Sequence, residues 1–390
     1  MIERIEIFVT DLPTRVRRIF SSGNYDTGAP GQLLGKPVLV KIHADGIVGM
    51  AQIRAISPGH FVPDTTMSVV AAIRDIFGPI MLGQSAFNIG HLSELFDSRL
   101  AANPAARAVI DIALHDWVGK ALGVPVHTLL GGCCQPVLPL EWSVSLADEP
   151  AVMVAEARRA VDEFGIRVLC IKAADRRGWR QDVTNFEAVR TAVGPDVEIG
   201  VDPNAGWSVY DSAAAILALG ELDVAYIEQP VARRNLEAMA ELRRVAAGIP
   251  IMADEALMSV EDAYAIARAG AADVFCIKPY KMGGISVARK VAAIAEASDI
   301  RLNCGGLAIQ SQLEAAAGAH FGASIPLKRT MGGAEFLFGL NTTAPDPLVA
   351  ETDFVVKNGQ VTVPTGPGLG VAIDEERLRH HTLHSEIVQT

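Results

Sequence analysis

Residues 197–202 read VEIGVD, residues 224–228 read VAYIE, and residues 249–255 read IPIMADE. Each is a short apolar, β-branched run that stops on an acid: Asp202, Glu228 and Asp254. Each acid stands 26 residues before the next, the length of a strand, a helix and two short connections. Similar runs flank them: LPLEWSVS (138–145) and VLCIKA (168–173) before, DVFCIKP (273–279) and IRLNCGG (300–306) after. Amphipathic, Ala-rich segments lie between, such as EPAVMVAEARRAVDEF (149–164) and VEDAYAIARAG (260–270). Seven or eight such βα units predict a parallel sheet closed into a (β/α) barrel. An open doubly wound sheet normally brings a Gly-rich nucleotide turn, and the sequence has neither GxGxxG nor a P-loop.

Ahead of this region, the first 130 residues read as α+β. MIERIEIFVT alternates like a strand, and residues 37–54 read as a hairpin about Ala44-Asp45-Gly46. Ser21–Gly35 is rich in Gly and Ser and predicts a mobile loop. Asn103-Pro104 reads as a helix cap with proline at the first helical position, and the helix stops at Gly123. A chain of 390 residues allows about two domains. Its net charge of −11 argues against non-specific binding to nucleic acid or anionic membranes. No apolar run reaches the ~18–20 residues of a membrane span, and the start has no signal-peptide core. Cys133, Cys134, Cys170, Cys276 and Cys304 form no CxxC pair and sit among apolar neighbours. They read as buried, reduced thiols of a cytoplasmic enzyme.

Barrel strands all open their C-terminal ends on one face, where active sites lie. The three strand-end acids should therefore converge, and converging anions repel unless a cation sits among them. All-oxygen ligation suits Mg²⁺ or Mn²⁺. Asn204 and Glu255 crowd the same rim, as supports of the acids or as helix caps. Two of the few lysines, Lys172 and Lys278, also end strands and flank the acids. Burial and a nearby cation would depress their pKa, making a lysine a general base. Lys281, three residues on, reads as a solvated loop residue. His320 is the only barrel histidine, in a helix, and reads as packed there, so acid–base work falls to lysine.

Lys172, VDPNAGW from Val201, IEQP from Ile227, MADE from Met252 and IKPYKMGG from Ile277 together resemble the enolase superfamily. The closer likeness is to the muconate-lactonizing branch of the mandelate racemase/muconate lactonizing family. The stretches AEFLFGL and VPTGPGLGVAIDEERL are similar to muconate cycloisomerases. This resemblance implies an α/β fold, a modified (β/α)₇β TIM-like barrel over residues 131–345. It also implies an α+β capping domain from residues 1–130 completed by residues 346–390. Loops at Ser21–Gly35 and Ile56–Pro63 would cover the mouth. It implies Mg²⁺ or Mn²⁺ on Asp202, Glu228 and Asp254, with Lys172 and Lys278 on opposite faces of a small carboxylate substrate. The shared chemistry is an enolate stabilised by the cation. A homo-oligomer is implied too. Tyr25, Cys170 and Cys304 join Asn204 and Glu255 as candidates to contact substrate or support the residues that do.

Several positions depart from the family pattern. Its usual Lys-x-Lys is Cys170-Ile171-Lys172, which removes one positive neighbour. Asn303-Cys304-Gly305 carries no histidine, which disfavours the mandelate racemase branch. In place of the Asp-x-Asp of dipeptide epimerases stands MGGAEFLFG, whose Glu335 matches an acid of muconate cycloisomerases and is a third catalytic candidate. Gln52 stands where a capping-domain glutamate is usual. The leading expectation is a lactone-forming cycloisomerase, with one lysine as acid–base. A racemase or epimerase of an N-substituted amino acid, using both lysines, is the alternative, followed by a hydroxy-acid dehydratase. A barrel that binds without catalysis is disfavoured, since the acids and both lysines are all present.

Overall fold

The alternating apolar positions at the start of the chain bury one face of a strand, Ile2–Thr10, through Ile5, Ile7 and Val9. The computed structural model describes residues 1–13, 17–21, 23–26, 30–31, 33, 35–54, 63–306, 311–350 and 352–389. Ile2–Thr10 pairs antiparallel with Pro37–Ala44 on one side and with Thr382–Gln389 on the other, so both ends of the chain share one sheet. Pro37–Ala44 turns back into Ile47–Arg54 through Asp45 and Gly46, at φ 49° and 74°. Two left-handed residues in succession give the turn whose twist matches the strands.

The helix Pro104–Leu122 lies between this sheet and the barrel and is buried nearly all round. Its polar residues act as ties. Asp116 accepts from the Met50 and Leu369 backbone N–H groups, both at 2.8 Å, and from Lys120 at 2.6 Å. Asp111 accepts the Ser286 N–H at 3.1 Å, at the start of the barrel helix Ile285–Ala297. The expected cap at Asn103 is not made. Asn103 is left-handed and its side chain donates to the Ala101 carbonyl. Asp64, 41 residues from Ala105, accepts the Ala105 N–H instead, at 3.0 Å. None of the described helices is long and apolar enough to cross a membrane.

The seven runs predicted as barrel strands form one parallel sheet in chain order. They are β1 (Glu141–Val144), β2 (Val168–Lys172), β3 (Glu198–Asp202), β4 (Ile227–Glu228), β5 (Ile251–Ala253), β6 (Val274–Ile277) and β7 (Arg301–Cys304). Residues 330–335 join its two edges. Met331 N–H bonds the Leu302 carbonyl and Glu335 N–H the Cys304 carbonyl on the β7 side. Ala334 N–H bonds the Pro139 carbonyl, and Glu141 N–H the Ala334 carbonyl, on the β1 side. This segment is the eighth stave, and the barrel is the (β/α)₇β form with a cap. Gln360–Thr362 pairs with Val137–Pro139 near this seam.

Alternate strand residues point into the barrel, and one layer of them is polar. The Tyr226 hydroxyl donates to Glu141 at 2.5 Å, and Glu141 also accepts the Gly333 N–H at 3.0 Å. Burial, with the charge of Glu335, pushes Glu141 up to about 8. The Tyr226 ring fills the space opposite Gly200, where an added Cβ would come within 2.1 Å of it. Glycine stands there because the ring is tethered and cannot yield. His320 is fully buried, its Nε2 3.1 Å from the Leu369 carbonyl, and burial pushes it down to about 4. Cys133 and Cys134 depart from the expectation of buried thiols: both are exposed.

Two predictions test this packing. Gly200→Ala should destabilise the protein by roughly 1–3 kcal/mol, as overpacking does, read as a lower urea midpoint; an unchanged midpoint would count against the tethered ring. Glu314, buried near Arg54 where the helix Gln312–Ala323 begins, is pushed up to about 7 by burial. The folded protein then holds a proton that the unfolded chain releases above its ordinary pKa of about 4.5. Stability from this group is full below about pH 4.5 and is lost by pH 7, about 3 kcal/mol in all. Glu314→Gln should therefore gain on the wild type in thermal midpoint from pH 4.5 to 8. A gap that stays constant across that range would refute it.

Candidate active site at the barrel mouth

Strand alternation brings the acids inward. On β3 and β4 the inward pairs are Gly200/Asp202 and Tyr226/Glu228, and Ile227 lies opposite Val201, so Asp202 and Glu228 stand level. Asp254 lies one inward position further along, since Glu228 is opposite Met252. All three are buried. Carboxylate oxygens of Glu228 come within 4.8 Å of those of Asp202 on one side and Asp254 on the other.

The lysines bracket this arc. Lys172 lies opposite Asp202 in register, and its ammonium bonds the Asp202 carboxylate. Lys278 donates to Asp254 at 2.6 Å and lies 4.0 Å from Glu228 Oε1. Lys281 corrects the sequence expectation. It is buried on the short helix Pro279–Met282, and its ammonium bonds both the Asp254 carboxylate and, at 2.6 Å, the Asp254 carbonyl. Burial disfavours the ammonium forms of Lys172 and Lys278, but Asp202 beside Lys172 and Asp254 beside Lys278 outweigh it and hold both pKa values above the usual lysine range.

Charge is shared unevenly among the acids. Burial would raise Asp254, but Lys278 and Lys281 outweigh it and hold the carboxyl well below its ordinary value. Burial, then the charges of Asp202, Glu335 and Asp254, push Glu228 well up. Its Oε1 has no hydrogen-bond partner among the described residues. A buried central carboxylate with a spare oxygen, between two other carboxylates, is a donor set that fits a hard divalent cation.

Asn204 and Glu255 join the network. Asn204, left-handed at φ 47°, donates its N–H to Asp202 at 2.7 Å. Its side-chain amide bonds Asp202 at 2.9 Å and Glu255 at 3.3 Å. Glu335 accepts the Gly306 N–H at 3.0 Å across the eighth stave. Cys170 lies one inward position below Lys172, and its thiol points at Glu228 from 3.8 Å. Cys304 is a correction: its thiol donates to the Gly318 carbonyl at 3.4 Å, away from the mouth and into the helix behind β7. Tyr25 pairs in register with Arg18, but its side chain lies outside the described residues. Of the Ile56–Pro63 loop, only Pro63 is described.

Sequence reasoning placed Ser21–Gly35 over the mouth without its strand, and missed two further contributors, Asp182 and Gln229. Part of the segment read as the loop Ser21–Gly35 is a strand, Gly23–Asp26, paired with Arg17–Phe20. This hairpin docks on the mouth. Ser21 donates to the Pro203 carbonyl at 2.6 Å, Ile19 N–H to Ser145 at 2.8 Å, and the Phe20 ring lies 5.2 Å from the Lys172 ammonium. Asp182, which looks like an ordinary first-turn helix acid, accepts from Ala174 and Asp175 N–H and from the Trp207 indole at 2.8 Å. It ties the loop after Lys172 to the loop after Asp202. Gln229 accepts the backbone N–H groups of Asp254 at 3.1 Å and Ala256 at 3.0 Å, fixing the turn that carries Asp254.

Comparison with known proteins agrees with this geometry. Residues 152–377 match the family model described as enolase C-terminal domain-like. Residues 34–131 match the mandelate racemase / muconate lactonizing enzyme N-terminal domain. The chain is 32% identical to a chloromuconate cycloisomerase of Pseudomonas putida, over 98% of this chain and 99% of that one. It is 31% identical to an N-succinyl-L-Arg/Lys racemase of Bacillus cereus over the full length of both. The muconate lactonizing enzyme of Pseudomonas fluorescens, solved with muconolactone, superposes with a TM-score of 0.88 at 31% identity, covering 98% of this chain and 99% of that one. The chain belongs to the mandelate racemase/muconate lactonizing enzyme family of enolase-superfamily isomerases.

Gln229→Leu should leave two buried N–H groups without an acceptor. The expected loss is roughly 1–3 kcal/mol for each, measured by chemical denaturation; wild-type stability would show that Gln229 does not hold this turn.

Proposed function

We propose that this isomerase moves a proton at the carbon next to a substrate carboxylate, and that its reaction is lactone formation from a muconate-type dicarboxylate. The observation that carries the reading is the bracketing of three buried carboxylates by Lys172 on one side and Lys278 on the other. Asp202, Glu228 and Asp254 would hold Mg²⁺ or Mn²⁺, which supplies positive charge where negative charge develops on the substrate carboxylate. Lys172, as ammonium, delivers the proton to the adjacent carbon. The Phe20 ring lies 5.2 Å from that ammonium, where its π face favours the charged form. Asn204, with Glu255, orients Asp202, and Gln229 orients Asp254. Lys278 acts on the opposite side as a fixed positive charge, and Glu335 lines the rim at the eighth stave. The named cycloisomerase relatives and the position of Glu335 support this choice of substrate. The same reading includes a cytoplasmic homo-oligomer, supported by five unpaired cysteines and by the prevalence of symmetric assemblies.

The mirrored lysines favour a second reading, racemisation of an N-succinylated amino acid, in which one lysine takes the α-proton and the other returns it. One experiment separates the two. The protein with Mn²⁺ or Mg²⁺ is given cis,cis-muconate, and loss of the diene's ultraviolet absorbance is followed. The wild type should show metal-dependent loss, reduced about 10²–10⁴-fold in Lys172→Met, the usual share of a positioned acid–base, and abolished in Asp254→Asn. If the diene is untouched while solvent deuterium enters the α-carbon of both enantiomers of N-succinyl-arginine, the chain is a racemase. Full activity in Asp254→Asn would overturn the cation site itself.

A further inference from the structure

We infer that the barrel mouth contains a sulfur-bearing donor set, Cys170 with Asp202 and Glu228, that takes a thiophilic divalent cation such as Zn²⁺ or Co²⁺. The inference rests on the carboxylate site proposed above and adds a ligand to it. Cys170 and Lys172 point inward from the same strand, so the thiol lies directly beneath the carboxylate arc. Its sulfur and one oxygen each of Asp202 and Glu228 lie within 4.8 Å of one another. The sulfur is 3.8 Å from Glu228 Oε2. In a tetrahedral site with Zn–S near ~2.3 Å and Zn–O near ~2.0–2.2 Å, donors stand about 3.5 Å apart. The three groups are therefore a small side-chain rotation from closing on one ion. Glu228 also has coordination capacity to spare: it is fully buried, its Oε2 faces the thiol, and its Oε1, 4.0 Å from the Lys278 ammonium, has no hydrogen-bond partner among the described residues.

A mirror set exists on the other side, Glu228 and Asp254 with Cys276. It is the weaker of the two. The Cys276 thiol is turned to Asn303 Oδ1 at 3.6 Å, and Asp254 is already paired with both Lys278 and Lys281. Among the described residues, Lys172 is the one ammonium group paired with Asp202. A cation drawn to sulfur settles where it displaces fewer positive charges, on the Cys170 side. Replacing an oxygen or ammonium neighbour by sulfur shifts preference from Mg²⁺ towards Zn²⁺, Co²⁺ or Cd²⁺. Ligation exchanges the S–H bond of Cys170 for a sulfur–metal bond, and the proton leaves to the buffer. Since Asp202 and Glu228 belong to both donor sets, a thiophilic ion excludes the hard ion.

The test uses Co²⁺ with the full-length protein, carrying Cys133→Ser and Cys134→Ser to remove the exposed thiols. Binding is measured by equilibrium dialysis, and absorption is recorded in parallel. Bound Co²⁺ should give a near-ultraviolet thiolate-to-cobalt charge-transfer band. Cys170→Ser should lose the band and Cys276→Ser should keep it, with circular dichroism confirming that both are folded. Zn²⁺ affinity relative to Mn²⁺ should fall in Cys170→Ser by at least about tenfold, the loss expected for even an outer partner of a metal ligand. Co²⁺ that binds without the band, or a band that survives Cys170→Ser, overturns the sulfur ligand and leaves the carboxylate site standing. Failure of both Co²⁺ and Mn²⁺ to bind removes the carboxylate site and this inference together.

Discussion

Glu228 is held out of water with a carboxylate oxygen of Asp202 within 4.8 Å on one side and one of Asp254 on the other, and the negative charge gathered there is the constraint around which the barrel mouth is built. A lone buried anion is costly, and a second beside it raises the cost further. The fold meets this with ammonium groups placed at the ends of the arc. Lys172 bonds Asp202, while Lys278 and Lys281 bond Asp254. Glu228, in the middle, has a lysine only at 4.0 Å. The negative charge that the protein's own cations leave least compensated is therefore at the centre. In the function proposed above, this is where a divalent ion would be held and where a substrate carboxylate would meet it.

The rest of the barrel keeps that arc in place. Gln229 accepts the backbone N–H groups of Asp254 and Ala256, and so fixes the turn after β5. Asp182 clamps two mouth loops through three donors. Below the arc, Tyr226 and Glu141 fill the barrel with a bonded polar pair, and Gly200 makes room for the ring. The eighth stave closes the circle without being a regular strand, and it delivers Glu335 to the rim. The cap reaches the same rim through its hairpin, where Ser21 bonds Pro203 and Phe20 covers Lys172. Both parts of the fold therefore contribute side chains at the barrel mouth.

What could be read from the residues alone was whatever is local and periodic. Strand runs ending on Asp202, Glu228 and Asp254 at a constant interval follow from a repeat of one strand and one helix. Inward alternation is likewise a property of the backbone. The hairpin turn at Asp45-Gly46 and the helix stop at Gly123 are short-range chemistry of the same kind. Misreadings came where a distant group decides. Asn103 looks like a cap, but Asp64 makes the bond from across the fold. Lys281 looks solvated, but the turn after β6 folds it onto Asp254.

The sequence by itself determined the barrel, the family it belongs to, and the placing of three acids and two lysines at strand ends that open on one face. Strand periodicity and βα spacing act over a few tens of residues, and so they are visible in order along the chain. Only the tertiary structure decided which charges pair, that the acids beside Lys172 and Lys278 push their pKa values up, that Cys304 turns away while Cys170 faces Glu228, and that the capping segment at the mouth is a hairpin. These depend on distances between residues far apart in sequence, and on burial, which sets how strongly each charge is felt.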